Sequence, residues 1–210
     1  RIQDLVKRVK ELGQTAVAIT DHGVMYGCVD FYKACVAEDI HPIIGCEVYV
    51  APRNRTDKVR ELDSENRHLV LLCKDETGYR NLSYMVSQAN LDGFYGKPRI
   101  DLSLLREHHE GLIALSACLA GEIPKRLLAG NYEGAKEHAL KMAELMGEDN
   151  YYLEIQDHGI EEQKVVLEGI LRIHKETGIP LVATNDAHYL RKEDARTQDV
   201  LMCIQMGKLV

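Results

Sequence analysis

Imidazoles, carboxylates and a thiol recur beside short apolar runs along this chain: Asp21 and His22, Glu47, His68, Cys118, Asp157 and His158, and Asp186 and His188. Together they are the donor set that binds zinc, manganese or iron. A divalent cation held this way polarises a phosphoryl oxygen and brings the pKa of bound water towards neutrality, so the chemistry to expect is phosphoester hydrolysis. Singly, each residue has a plainer reading. An aspartate at a strand end caps and turns the chain. Cys118 alone reads more readily as a buried small side chain than as a ligand. His68 precedes its apolar run rather than ending it, so geometry alone favours a surface histidine. Glu47 is more telling, because a carboxylate inside an apolar run is costly to bury without a partner. The Asp186-x-His188 pair is the best single signal, and the recurrence of such residues on successive strands strengthens every one of them. His41, His108, His109, His138 and His174 lie in turns or on helix faces and carry no assignment.

The elements that would position these groups alternate between helix and strand. Ile2, Leu5, Val6, Val9 and Leu12 recur at helical spacing. Strands are predicted at 16–20, 42–50, 68–73, 112–116, 151–155 and 181–184. Helices are predicted at about 29–38, 76–89, 102–106, 124–128, 133–146, 161–176 (stopped by Gly178) and 193–204. Residues 52–66 are rich in charge and read as an exposed, solvated loop, and a Gly/Pro-containing loop follows at 93–98. The alternation predicts a parallel α/β sheet, open or closed into a barrel. In such folds the C-terminal ends of the strands share one rim, where residues distant in sequence converge.

Composition narrows the rest. The 26 basic and 33 acidic residues give a net charge of −7. That balance disfavours a broad basic face for nucleic acid and leaves a small site where cations offset phosphate charge, or another part of a larger protein. Arg53, Arg55 and Lys58 form a minor alternative phosphate contact. The six cysteines show no C-x-x-C spacing and read as reduced thiols of a cytosolic protein. Neither a signal peptide nor an apolar run of about 20 residues appears, so no membrane partner is expected. A helix at Arg1 with no strand before it, and an abrupt end after the last helix, lead us to expect a fragment.

Several segments, in order, resemble the polymerase and histidinol phosphatase (PHP) domain family, in the version found in the alpha subunit of bacterial DNA polymerase III. They are Thr20-Asp21-His22-Gly23-Val24-Met25-Tyr26-Gly27, the run 42–52 around Glu47, His68-Leu69-Val70-Leu71-Leu72 with Thr77-Gly78-Tyr79, Cys118-Leu119-Ala120-Gly121-Glu122, Leu153-Glu154-Ile155-Gln156-Asp157-His158-Gly159, Ala183-Thr184-Asn185-Asp186-Ala187-His188-Tyr189 and the run 199–205. The resemblance implies a distorted (β/α)7 TIM-like barrel with up to three divalent metal ions, zinc or manganese, at one rim. It implies His22, Glu47, His68, Cys118, Asp186 and His188 as ligands, so reversing the geometric reading of His68. His22, Asp186 and His188 are the catalytic candidates among them. Asp21, His158 and Asn185 become residues that orient ligands from behind. The family opens with a strand carrying His-x-His, followed by an acidic ligand, and this sequence has none of the three. Residues 1–210 therefore read as one partial PHP domain, incomplete at its N-terminus.

Three functions follow as expectations. The first is a multi-metal 3′–5′ exonuclease acting on the primer 3′ end of DNA. It would belong to a cytoplasmic bacterial replicase whose parent chain is a DNA-directed DNA polymerase (a nucleotidyltransferase); the carboxylates for nucleotide addition are not in this sequence. The second is a structural module whose metals brace the fold and which offers a surface to other replicase subunits, among them a separate proofreading exonuclease. The third is a free-standing phosphatase of the histidinol phosphatase type.

Overall fold

The computed structural model describes residues 1–209. Its chain runs α1 (Ile2–Glu11), β1 (Ala16–Ile19), α2 (Cys28–Ala37), β2 (His41–Val50), α3 (Arg60–Asp63) and β3 (Arg67–Cys73). It continues through α4 (Glu76–Leu91), β4 (Arg99–Ile100), α5 (Leu102–His108), β5 (Leu112–Leu115), α6 (Glu122–Leu128) and α7 (Tyr132–Met146). Last come β6 (Tyr151–Ile155), α8 (Glu161–Thr177), β7 (Leu181–Ala183) and α9 (Ala195–Met206). Local chemistry sets many of the boundaries. Asp75, Asp101 and Asn131 cap α4, α5 and α7 by accepting from the amides of Gly78, Leu104 and Gly134. Gly178 ends α8 in the left-handed conformation expected of it, at φ 76°.

The strands form one sheet in the order β1-β2-β3-β5-β6-β7, with the short β4 added alongside β2. The sheet curls as a distorted α/β barrel that stays open, with β1 and β7 as its edges among the described residues. The expected parallel sheet needs one correction: β3 runs antiparallel to both β2 and β5, while β1-β2, β5-β6 and β6-β7 are parallel. A parallel neighbour needs a crossover that packs back along the sheet, usually a helix. Between β2 and β3 the only helix is the four-residue α3, so the chain returns beside β2 in the opposite direction.

The main core joins β2, β3, β5 and β6 to α4, α5, α7 and α8 through residues such as Leu71, Leu82, Met85, Leu105, Met142, Leu153 and Ile173. A second cluster of Val6, Val9, Phe31, Cys35 and Ile40 fixes α1 and α2 against β1. Segment 52–66 also departs from expectation, because part of it is interior. Asp63 is fully buried and takes two hydrogen bonds from Arg53, at 2.9 and 2.7 Å. Arg99, also fully buried, donates to the carbonyls of Gly93, Asp63, Arg55 and Asp57 at 2.8 to 3.0 Å. Arg55 pairs with Asp101 at 3.1 Å. The charges in this segment are thus partly a folding device: exposed Arg53 and half-buried Arg55 are paired with the buried carboxylates of Asp63 and Asp101.

Candidate metal centre

Glu47 sits near the middle of β2, in a run from Gly45 to Tyr49 whose residues are all buried. Its two oxygens are shared between two imidazoles: His22 Nε2 lies 2.9 Å from Oε2, and His68 Nδ1 lies 2.6 Å from Oε1. His22 arrives from the turn after β1, which continues alongside β2 through a bridge between His22 and Glu47. Gly23 makes that turn possible. Its φ is 68°, and a Cβ there would meet Pro98 Cγ at 2.8 Å and the Tyr49 ring at 3.1 Å.

His68 comes from the first turn of β3 rather than its end. Because β3 is antiparallel, its start lies at the rim where β1 and β5 finish. In register Tyr49 stands opposite His68, which places Glu47 diagonally across on the same face. The Tyr49 ring packs edge-on against His68, with centroids 5.1 Å apart. Cys118, in the turn after β5, brings its sulfur 3.7 Å from Glu47 Oε1 and 3.8 Å from His68 Nδ1.

Asp186 and His188 approach from the turn after β7. The His188 ring centroid is 5.6 Å from that of His22. Its Nδ1 lies 2.9 Å from the carbonyl of Asp186. A carbonyl only accepts, so Nδ1 carries the proton and Nε2 keeps its lone pair for a ligand. Asp186 is held at φ 43°, an uncommon conformation for a residue other than glycine.

Electrostatics follow from this packing. Burial works against the charge of Glu47, but the hydrogen bonds from His22 and His68 outweigh it and hold the carboxyl down at about 2. The same bond to Glu47 raises His22 above its ordinary value, helped by the charge of Asp186. Burial pushes the Cys118 thiol up to about 12, so without a cation it stays protonated. The donor atoms of His22, Glu47 and His68 all lie within 4.8 Å of one another. Imidazole, carboxylate and thiol at this spacing form a donor set that fits a divalent metal cation.

The expected orienting residues divide. Asp21 acts through its main chain, its carbonyl accepting from the Glu47 amide at 3.1 Å and from the Cys46 thiol at 3.3 Å. Asn185 is exposed in the Asp186 turn. His158 stands with Gln163 instead: its amide donates to Gln163 Oε1 at 2.7 Å, and Gln163 Nε2 donates to its Nδ1 at 2.8 Å. His138, partly buried on α7, is pushed down to about 4 by burial. One residue was missed by sequence reasoning. Glu154 on β6 is a buried carboxylate in an apolar run, the signal that singled out Glu47.

The model of the family described as PHP domain matches residues 1–158. DNA polymerase III subunit alpha of Treponema pallidum (strain Nichols) is 50% identical over 208 residues, covering 99% of this chain and 18% of that protein. The Thermus aquaticus subunit of the same name is 48% identical over 209 residues, covering 98% and 17%. This chain therefore spans less than a fifth of the length of these relatives. Among solved structures, an amidohydrolase from Chromobacterium violaceum superposes with a TM-score of 0.49 at 12% identity, over 92% of this chain and 84% of that one. On the family match, the chain belongs to the PHP domain family, with DNA polymerase III subunit alpha among its sequence relatives.

Proposed function

We propose that this chain is the metal-dependent phosphoesterase domain of a bacterial replicase and trims the 3′ end of a DNA primer strand. The observation that carries the reading is the convergence of His22, Glu47, His68 and Cys118, faced by Asp186 and His188, at one rim of the sheet. His22, Glu47, His68, Cys118, Asp186 and His188 would hold divalent cations, zinc or manganese and up to three in a complete rim. When bound there, the cations would supply Lewis-acid activation of the phosphodiester and of water. Glu47 fixes two imidazoles in orientation, and His188 presents Nε2 because its Nδ1 is engaged by its own loop. His22, half exposed and beside both Glu47 and Asp186, is placed to exchange a proton at Nε2 for a cation.

The support for a replicase setting is the near-full-chain similarity to DNA polymerase III subunit alpha. On this reading nucleotide addition, contacts with DNA and with other replicase subunits, and a cytoplasmic location would belong to the larger protein. Among the described residues no helix is long and apolar enough to cross a membrane. We take residues 1–210 as one PHP-type unit. A strand bearing His-x-His, set between the two sheet edges β1 and β7, would complete the rim.

The test is manganese-dependent release of nucleotides from a 3′-labelled primer by the full-length protein and its His188→Ala variant. Loss of trimming with polymerisation retained is the expected result, and equal trimming by the variant overturns the proposal. A second reading has a specific observation in its favour. The Glu47 tie already links the turn after β1 to β2 and β3, so the cations would serve only to brace that junction. Under it, His188→Ala lowers the melting temperature and no trimming is found in either protein.

A further inference from the structure

Two turns carry ligand candidates in strained backbone. Ala117, just before Cys118, has φ 65°, and Asp186 has φ 43°. Such conformations in residues with a Cβ persist only where neighbours over-determine them. The same residue reaches both turns. Glu154 on β6 is only 5% exposed. Its Oε1 accepts a short hydrogen bond from the hydroxyl of Thr184, two residues before Asp186. The Gln156 amide donates to that oxygen at 3.1 Å and to the Thr184 hydroxyl at 3.0 Å. Burial raises the Glu154 carboxyl above its ordinary value, against the opposing pull of the Thr184 and Gln156 side chains and the Ala117 amide, and the Glu154 amide donates to Ser116 Oγ at 2.8 Å. The second oxygen, Oε2, is buried without a hydrogen-bond partner in the protein. A carboxylate so placed is costly unless something cationic lies near.

We infer that Glu154 is a positioning residue of the metal centre, tying the Ala117-Cys118 turn and the Thr184-Asp186 turn to β6 so that their donors stand at one rim. The inference rests on the metal-centre reading above. Glu154 acts through Thr184 on the ligand turn, and the Gln156 amide keeps the Thr184 hydroxyl and Oε1 in register.

The experiment uses the full-length protein with Thr184→Val, which removes the hydroxyl at nearly constant size, Thr184→Ser, which restores it, and Glu154→Ala. Manganese affinity is read by electron paramagnetic resonance, and cobalt is used to read the thiolate and ligand-field absorption bands. Residues that orient ligands typically cost about 10–100-fold in affinity when lost, and that loss is expected for Thr184→Val and Glu154→Ala. Thr184→Ser is expected to bind as wild type, and the metal-free melting temperature of Thr184→Val to stay close to it. A weakened cobalt thiolate band in Glu154→Ala would show the Cys118 turn released. Wild-type affinity and spectra in both Thr184→Val and Glu154→Ala overturn the inference while leaving the metal centre standing. A wild-type protein that takes up neither metal overturns the metal centre, and this inference with it.

Discussion

His68 Nδ1 lies 2.6 Å from Glu47 Oε1 across the antiparallel β2-β3 ladder, two residues off direct register and so on the same face. This contact exists because β3 reverses direction. In an all-parallel sheet the first residues of β3 would lie at the far end of the barrel from the turns after β1, β5 and β7. Reversal brings them to the same end, so one buried carboxylate can hold imidazoles from two strands.

Glu47 should therefore be the residue on which the cluster depends most. Glu47→Gln keeps the shape but offers one acceptor where two imidazole partners now compete. Its removal should abolish stoichiometric manganese binding, measured by elemental analysis after dialysis. The metal-free chain should lose roughly 1–3 kcal/mol in urea unfolding, less than a fully buried pair would cost because His22 is half exposed. Full metal content in Glu47→Gln would remove Glu47 from the centre.

The same pair fixes a pH dependence. The folded pKa of His22 is raised above its ordinary 6.5, so its contribution to stability is complete below that value and fades as pH rises through the folded one. Glu47 is lowered from 4.5 to about 2, so its contribution is present above 4.5 and fades as pH falls towards 2. Between these limits both act. In chelator, the melting-temperature gap between wild type and His22→Ala should be wider at pH 6 than at pH 8.5. With manganese the order reverses, because cation and proton compete for His22 and affinity climbs with pH. A gap independent of pH would mean that the His22–Glu47 pair is not formed in solution.

Much of this was legible in the residues. The helix and strand periods, the Gly178 stop and the turns bearing His22, Cys118, Asp186 and His188 all follow from local pattern. Direction did not, because a strand's residues look alike whichever way it runs. On geometry alone the solitary His68 therefore read as a surface residue, and the family resemblance, not the strand pattern, made it a ligand candidate. The interior part of 52–66 was hidden for a related reason. Charge in a sequence signals solvent unless its partner is known, and Arg99, the partner that matters most, lies more than thirty residues beyond Asp63. Glu154 was discoverable, since Tyr151–Ile155 buries a carboxylate much as β2 buries Glu47.

Arg99 gives a prediction separate from the metal. Its guanidinium joins four carbonyls from three stretches of chain. Arg99→Met should leave them unpaired and cost about 3 kcal/mol or more in urea unfolding, from the loss of charge-assisted bonds. Proteolytic cleavage within 52–66 should accelerate with it. Unaltered stability and cleavage would show that the segment is held by other contacts.

The last prediction separates folding from function at a site remote from the rim. Gly78 in α4 packs directly on the turn before β5, where an added Cβ would stand 1.9 Å from the Gly111 carbonyl oxygen and 2.6 Å from its carbon. Backbone on that side cannot swing away as a side-chain end would, and Gly111 is itself held at φ 75°. Gly78→Ala must push α4 outward and disturb the Asp75 cap, whose carboxylate accepts from the Gly78 amide at 2.9 Å. Overpacking of this kind costs typically about 1–3 kcal/mol, and backbone contact puts this case at the upper end or beyond. Manganese affinity of the folded fraction should be unchanged, since His22, Glu47, His68 and Cys118 are positioned by other elements. A variant that unfolds at the wild-type denaturant midpoint would mean α4 sits farther from β5 than the structure has it. One that folds normally but binds manganese weakly would mean the rim depends on α4.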